Sequence, residues 1–208
     1  DIMFSKVYPI QDDDSKDSFQ KGAPYYVDGP RMHEFLKELN ENSFSLYDIF
    51  TVGESFHPSE EEAREYVLES NGELDAIFSF GHLDSDNIGG KKFFPKPFDL
   101  RQFKKGFFDP QRAAFREGWN TLVLENHDNP RSVNRFSIDV KKYRYEAAAM
   151  LATVMYMGYG TPFIYMGQEA GLTNCEFKNI DEMMDPVSHF VYELMAGMGM
   201  PKWLAFRF

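Results

Sequence analysis

The chain has a single cysteine and no long apolar run. Cys175 has no second cysteine to pair with, so an internal disulfide framework is excluded. A chain of this kind suits a reducing compartment, and we expect the cytoplasm. No stretch of the sequence approaches the roughly 18 consecutive apolar residues of a membrane-spanning helix. We therefore expect no membrane partner.

Positive charge is also in short supply. The sequence has 22 Lys and Arg residues against 33 Asp and Glu residues, which gives a formal net charge of -11. Nucleic acids and anionic membranes attract basic surfaces, so this balance argues against both as partners. An acidic chain of this composition favours a neutral ligand.

Aromatic residues, by contrast, are abundant, at 16% of the sequence with 21 Phe and 11 Tyr. Sugar sites use aromatic rings as flat apolar platforms with polar rims. Aromatic rings also fill protein interiors, and we expect most of these rings to lie in the core. Composition alone leaves open which rings touch a ligand.

Four short apolar runs end in glycine or polar residues, and segments with helical periodicity lie between them. This alternation is typical of βα units on a parallel sheet. A closed barrel needs eight strands and about 250 residues, so a chain of 208 residues with four strands predicts part of a barrel. The predicted strands lie in residues 47–53, 75–81, 121–124 and 161–167.

Helix boundaries are marked by capping signals. Ser59 and Glu62 have the spacing of a capping box, in which each side chain accepts a hydrogen bond from the other residue's backbone. Gly158 and Gly160 follow the most apolar helical segment and predict its end. Three helices are predicted over residues 59–69, 97–117 (or 99–117) and 143–157. Two more are predicted only by their starts, at residues 28–30 and 179–182.

The most informative segment is residues 124–132, where the apolar run 121–124 delivers polar side chains to a strand end. Catalytic groups in parallel α/β barrels lie at the carboxyl ends of strands, so His127, Asp128 and Arg131 are candidate ligand contacts. The alternative is an Asx-type turn followed by a surface arginine. His82 follows the run 75–81, and a place at the mouth of the pocket competes with a structural role.

Four motifs resemble the alpha-amylase superfamily, glycoside hydrolase family 13. They are TVGE (residues 51–54), NHDNPR (126–131), GTPFIYMGQEAGLTN (160–174) and GPRMHEFLKELN (29–40), the last resembling the oligo-1,6-glucosidase and alpha-glucosidase branch. The resemblance implies an α/β fold, a partial (β/α)8 TIM barrel with about strands 5 to 8 visible. It implies that residues 1–194 are the carboxyl-side part of a catalytic domain, with 195–208 an unaligned tail.

The resemblance also implies roles for individual residues. Retaining glycosidases use one carboxyl group as acid and base and another as nucleophile. Glu54 matches the general acid/base and Asp128 the carboxylate that stabilises the transition state. His127 and Arg131 match substrate-binding positions, although Arg131 has the alternative of orienting a carboxylate. No metal and no cofactor are expected.

The nucleophile of the family is an aspartate at the end of the fourth barrel strand. Asp1 is one candidate, and the alternative register places the nucleophile upstream of this chain, which predicts that the chain alone is inactive. The expected substrate is a small oligosaccharide, and the amino-terminal half of the barrel is an expected partner. Two positions depart from the family pattern: Gln168 stands where a carboxylate is usual, and Asn129 where a glutamine is usual.

The resemblance predicts a retaining alpha-glucosidase that releases non-reducing-end glucose from short alpha-glucosides such as isomalto-oligosaccharides. Two alternatives stay open within the enzyme class, namely a sucrose isomerase and a trehalose-6-phosphate hydrolase. A third alternative is a non-catalytic relative that keeps the fold for binding or assembly.

Overall fold

The computed structural model describes residues 29, 31–55, 58–88 and 91–206. Asp1 lies outside the described residues, as do Asp28 and Pro30 at the predicted opening of the first helix. No helix among the described residues is both long enough and apolar enough to cross a membrane.

Two pairs of parallel strands form the framework of the fold. Strands β1 (Val52–Ser55) and β2 (Ala76–Ser79) pair with Gly53 opposite Ile77. Strands β5 (Thr121–Leu122) and β6 (Thr161–Pro162) form the second pair. The two pairs lie side by side, since the Thr121 hydroxyl donates to the Ile77 carbonyl oxygen at 2.8 Å. The predicted parallel strand–helix alternation is confirmed, and the described strands do not close into a barrel.

The paired strands are shorter than the apolar runs that predicted them. The run 47–53 contains Tyr47, Ile49 and Phe50, all of which are exposed and precede β1. An antiparallel hairpin, which was not predicted, follows β2 and consists of β3 (Asn87–Ile88) and β4 (Lys91–Pro95).

Seven α-helices are present in the described part of the chain. The capping box at Ser59 is confirmed: the Glu62 amide donates to the Ser59 hydroxyl oxygen, and the Ser59 amide donates to the Glu62 carboxylate. Hydrogen bonding of the Glu62 carboxylate to the backbone amide of Ser59, and then to its side chain, lowers the pKa of Glu62. The helices are α1 (Met32–Asn42), α2 (Glu60–Val67), α3 (Leu100–Ala114), α4 (Ser132–Phe136), α5 (Val140–Tyr156), α6 (Pro186–Gly197) and α7 (Lys202–Ala205).

Three helix predictions need correction. Helix α3 ends at Ala114 rather than near Glu117, and Arg116 takes a positive φ of 74°. Helix α5 begins at Val140, where the Asp139 carboxylate caps it, and it is kinked at the predicted start, since Tyr143 has non-helical φ and ψ of -120° and 28°. The predicted helix at 179–182 is wrong: the segment contains only a 3-10 turn, Ile180–Glu182, and the helix begins at Pro186.

Helices α1 to α5 pack against one face of the strands. Leu122 and Leu124 meet α3 and α5 in one cluster with Phe103, Phe107, Leu151 and Met155. Ile77 meets α2 in a second cluster that also includes residues of α1 and α3. Because strand side chains alternate between faces, Val123 points to the opposite side, where it packs with Phe80 and Leu83.

Helix α3 approaches the 3-10 turn Gly81–Asp84 at Gly106. A Cβ atom on Gly106 would overlap the carbonyl carbon of Gly81 and the amide nitrogen of His82. These backbone atoms cannot rotate away, so we expect Gly106→Ala to lower the free energy of unfolding by about 2–3 kcal/mol in urea denaturation.

Gly197 provides the matched helical control. A Cβ atom there would meet nothing within 4 Å, so Gly197→Ala is expected to be neutral or stabilising by up to about 1 kcal/mol. Equal stability of the two variants would contradict the close approach of α3 to this turn.

Candidate active site

The carboxyl ends of the parallel strands meet around one cavity of about 350 Å³. Residues two apart, at the end of each strand and just beyond it, line the cavity, as expected when alternate side chains of extended chain share a face. This end of the strands is where the catalytic groups of α/β barrels lie. The lining residues are Val52, Glu54, Phe78, Phe80, Val123, Glu125, Asn126, His127, Phe163, Ile164 and Tyr165.

The wall of the cavity is largely apolar and includes four Phe or Tyr rings. The rings of Phe78 and Phe163 pack edge to face, with centroids 4.7 Å apart and planes at 81°. Phe80 is buried beside Val123. The cavity therefore combines an apolar wall with the carboxylate of Glu54 and the imidazole of His127, a composition that suits a ligand with both apolar and polar groups.

The turn that carries His127 and Asp128 is organised by Asn126. The Asn126 side-chain oxygen accepts hydrogen bonds from the Asp128 amide at 3.0 Å and from the Asn129 side chain at 2.8 Å. This is the geometry of an Asx turn, so that part of the alternative interpretation is correct. The turn leaves the side chains of His127 and Asp128 accessible, 75% and 54% exposed, with His127 Nε2 3.4 Å from Asp128 Oδ2.

His127 lies between two cavities. It lines the cavity that contains Glu54 and also a second one of about 820 Å³, which Asp128 lines. The structure thus brings Glu54 and His127 to one cavity and places Asp128 on the adjoining one. The second cavity is also lined by Asp86, Asn129, Arg135 and Asp185.

Arg131 is not a surface arginine, because its side chain is only 18% exposed. Its Nη1 atom donates to the Glu125 carboxylate and to the Met166 carbonyl oxygen, both at 2.8 Å. Its guanidinium also lies 4.8 Å from the ring centroid of Tyr165. Arg131 therefore orients a carboxylate in this structure, and its role in substrate binding stays a prediction.

Glu125 is a residue that the sequence interpretation missed. Its side chain is 1% exposed, and its carboxylate also accepts hydrogen bonds from the amide and the hydroxyl of Ser132, each at 2.6 Å. A buried carboxylate needs such partners to offset its loss of hydration. Glu125 thereby joins the end of β5 to Arg131 and to the first residue of α4.

A second buried ion pair holds the other side of the same turn. Arg135 makes two hydrogen bonds to the Asp86 carboxylate, at 2.6 and 2.7 Å, and another to the Leu83 carbonyl oxygen. Its side chain is 7% exposed. Bidentate pairs of this kind fix the geometry of the groups they join. Its Nη1 atom also donates to the Asn129 side-chain oxygen at 3.5 Å, so Arg135 connects the loop after β2 to the turn that carries His127.

His82 does not lie at the mouth of the cavity. The interpretation that placed it there is wrong, and the alternative, a structural role, is correct. Its side chain is buried, and its Nε2 donates to the Val123 carbonyl oxygen at 2.7 Å. Phe103 and Phe107 pack edge to face against the imidazole. Burial lowers the pKa of His82 to about 4, and the charge of Arg135 adds to this effect. His82 is a neutral core residue that joins the two strand pairs.

Gln168 occupies a position where the family pattern has a carboxylate. Its side-chain oxygen accepts a hydrogen bond from the Tyr165 backbone amide at 3.0 Å, and the backbone amide of Gln168 donates to the Tyr165 carbonyl oxygen at 2.8 Å. An uncharged side chain therefore supports the backbone next to the cavity. Within the described ranges, no group of three or more His, Cys, Asp or Glu residues has an arrangement that could hold a metal ion.

Comparison with known proteins connects this site to a family. The family model described as alpha amylase, catalytic domain, matches residues 2–194. The oligo-1,6-glucosidase of Parageobacillus thermoglucosidasius is 43% identical over 185 residues, which are 88% of this chain and 33% of that protein. The trehalose-6-phosphate hydrolase of Bacillus subtilis is 43% identical over 180 residues, which are 86% of this chain and 32% of that protein.

Solved structures give the same result. The trehalose-6-phosphate hydrolase of Bacillus licheniformis superposes with a TM-score of 0.80 at 38% identity, covering 92% of this chain and 34% of that one. The isomaltulose synthase of Erwinia rhapontici superposes with a TM-score of 0.76 at 34% identity, covering 86% and 32%. The chain spans about a third of the length of these relatives. From the match over residues 2–194 and from these identities, the chain belongs to the alpha-amylase family and carries part of its catalytic domain.

Proposed function

We propose that this chain is the carboxyl-side part, about strands 5 to 8, of the (β/α)8 catalytic domain of a retaining alpha-glucosidase. The observation that carries the proposal is the cavity at the carboxyl ends of the parallel strands, which Glu54 and His127 line together. The likeness to oligo-1,6-glucosidases supports the same activity. The substrates would be short alpha-glucosides, from which glucose is released at the non-reducing end.

In this mechanism Glu54 acts first as an acid and then as a base. Its protonated carboxyl group donates a proton to the glycosidic oxygen as the bond to the sugar carbon breaks. A nucleophilic carboxylate on the opposite side of the sugar forms the covalent intermediate. Glu54 then takes a proton from the water that hydrolyses this intermediate.

Other residues would stabilise the transition state. Asp128 carries a negative charge beside His127, and a carboxylate there would favour the positive charge that develops on the sugar ring. His127, which is accessible from the Glu54 cavity, would donate to hydroxyl groups of the same glucose unit. Arg131 would act mainly through Glu125 and Tyr165 rather than by direct contact with the substrate.

The nucleophile would be Asp1 or a residue upstream of it. On the upstream register, the amino-terminal half of the barrel completes the site, as a covalent part of the same protein or as a partner chain.

We assign residues 1–194 to the catalytic domain. The boundary at 194 lies inside α6 (Pro186–Gly197), and residues 195–197 complete that helix. We place the protein in the cytoplasm, on the basis of its single cysteine.

The charge of the second cavity favours a neutral substrate over a phosphorylated one. Arg135 is the only lysine or arginine among the described residues that line it, and the Asp86 carboxylate neutralises this arginine. Asp128 and Asp185 add negative charge. A phosphate group would be repelled there, so isomaltose is expected to be preferred to trehalose 6-phosphate.

The test is a substrate panel on the purified full-length protein that contains this chain. The panel consists of 4-nitrophenyl alpha-glucoside, isomaltose, sucrose and trehalose 6-phosphate, with the 208-residue chain assayed in parallel. We expect glucose release from the aryl glucoside and from isomaltose by the full-length protein, and no turnover by the chain alone.

Other outcomes of the panel select the alternatives. Preference for trehalose 6-phosphate would replace the proposal by a trehalose-6-phosphate hydrolase, and conversion of sucrose into an isomer would replace it by a sucrose isomerase. A folded full-length protein without turnover would favour a non-catalytic relative. Turnover by the 208-residue chain that Glu54→Gln abolishes would mean that the nucleophile is Asp1 or is supplied by a complementing chain.

A further inference from the structure

Tyr165 lines the Glu54 cavity and is held there from two directions. Hydrogen bonds to Gln168 fix its backbone on one side. The guanidinium of Arg131 covers a face of its ring, 4.8 Å from the centroid. A tyrosine that is half-buried and restrained in this way presents a ring of fixed orientation to the cavity.

The position of the guanidinium is in turn set by Glu125. The buried Glu125 carboxylate bonds Arg131 Nη1 and the Ser132 amide and hydroxyl, so it cannot turn without breaking several hydrogen bonds. The Met166 carbonyl oxygen, one residue after Tyr165, accepts a hydrogen bond from the same Nη1 atom. Glu125 and Arg131 therefore connect the end of β5 to the segment after β6.

The charges of this pair also matter for the ligand. Arg131 alone would place a positive charge behind the ring of Tyr165, and Glu125 neutralises it at 2.8 Å. The ring thus remains part of an uncharged wall. Such a wall suits the apolar C–H face of a neutral sugar, which packs flat on aromatic rings.

The other aromatic rings of the cavity are less suited to this contact. Phe80 is 8% exposed, and Phe78 and Phe163 pack edge to face against each other. Tyr165 lies two residues beyond Phe163 along the chain, which is closer to the carboxyl-end rim where His127 is accessible. Among these rings, Tyr165 combines access to the rim with a fixed orientation.

We propose that Tyr165 is a sugar-stacking residue of the cavity and that Glu125 is a positioning residue that acts through Arg131 to hold its ring. This inference rests on the proposed function, because it takes the cavity as a glucoside-binding site. It adds a binding residue and a positioning residue to Glu54, His127 and Asp128.

The test uses four variants of the full-length protein: Tyr165→Leu, Tyr165→Phe, Glu125→Gln and the double variant Glu125→Gln/Tyr165→Leu. Hydrolysis of 4-nitrophenyl alpha-glucoside gives kcat and KM, and ligand-observed NMR with methyl alpha-glucoside gives Kd without turnover. Tyr145→Leu is the control, because Tyr145 is 81% exposed on α5. Circular dichroism confirms that each variant is folded.

We expect Tyr165→Leu to raise KM and Kd about tenfold with kcat within about threefold of wild type, since the lost contact serves binding. Tyr165→Phe keeps the ring and is expected to stay near wild type. Glu125→Gln is expected to raise KM and Kd about threefold to tenfold. The double variant should have the same KM and Kd as Tyr165→Leu alone, because Glu125 would act only through the ring of Tyr165.

Two results would overturn the inference. An unchanged KM and Kd in Tyr165→Leu would exclude stacking, and additive effects in the double variant would exclude the positioning role of Glu125. These are distinguishable from failure of the proposed function, in which the wild-type protein itself would neither hydrolyse the aryl glucoside nor bind methyl alpha-glucoside. That third result would overturn both.

Discussion

Replacing Glu54 by glutamine is expected to lower kcat/KM for isomaltose by about a hundredfold to ten-thousandfold in the full-length protein. Glutamine keeps the size of the side chain but has no acidic proton that it can transfer to the glycosidic oxygen. General acid–base catalysis by a positioned side chain contributes about this factor. The measurement is steady-state glucose release from isomaltose.

A comparison of substrates makes this prediction specific. A dinitrophenyl alpha-glucoside has a leaving group that departs without protonation, so Glu54→Gln should lower its kcat/KM much less than that for isomaltose. Glu60→Gln is the control, because Glu60 lies exposed in the first turn of α2. Equal losses on both substrates would show that Glu54 serves binding or folding rather than proton transfer.

The stability of the chain is expected to fall by about 3 kcal/mol because of His82 as the pH is lowered from 6.5 to 4. The pKa of His82 is about 4 in the fold against a usual value of 6.5, mainly because of burial. Between these values the unfolded state binds one proton more than the folded state, so the free energy of unfolding decreases by about 1.4 kcal/mol per pH unit. Above pH 6.5 His82 is neutral in both states, and the stability that is lost at lower pH is fully present.

The check is urea denaturation of the chain at several pH values, with His82→Gln as the variant. Glutamine keeps a donor for the Val123 carbonyl oxygen and does not titrate. The variant should therefore be less stable than wild type at pH 7. Below pH 6.5, however, its free energy of unfolding should fall less steeply with pH than that of wild type, by about 1.4 kcal/mol per pH unit. His127→Gln is the control, since His127 is 75% exposed. Identical slopes for His82→Gln and wild type would contradict a neutral, buried His82.

The parallel strands and most helices could be predicted because their signals are local. Alternation of apolar runs with helical segments determines that strands pair in parallel, since each strand returns to the same end of the sheet after a helix. Ser59 and Glu62 predicted a capping box that the structure contains, because that motif depends only on residues three apart.

Other elements could not be predicted because their signals were short or misleading. The hairpin of β3 and β4 has only two residues in its first strand, and the Gly89–Gly90 pair between the strands was its one clear signal. The 3-10 turn at Ile180–Glu182 begins with an Asn179 cap that resembles a helix start, although the helix starts only at Pro186.

The residues that support the site could not be predicted from the sequence for a different reason. Glu125 and Arg135 each find an oppositely charged partner across a turn or on another element, and their burial follows from that partner rather than from their own neighbours in sequence. His82 followed a strand just as a catalytic histidine would, but its side chain turns into the core. Sequence patterns place a residue at a strand end without deciding which way it points.

The candidate catalytic residues were identified by their motifs. The structure places Glu54 and His127 on one cavity and Asp128 on the adjoining one, and the catalytic roles of these residues remain predictions.

The acid/base role of Glu54 is tested most sharply by the configuration of the product that Glu54→Ala forms from a dinitrophenyl alpha-glucoside in the presence of azide. If Glu54 is the acid/base, the covalent intermediate still forms, and azide displaces the enzyme carboxylate from the sugar carbon without needing a base. The product is then alpha-glucosyl azide, with the configuration of the substrate retained. If Glu54 is instead the nucleophile, azide attacks the substrate directly from the opposite face. Beta-glucosyl azide in the NMR spectrum would therefore contradict the role assigned to Glu54.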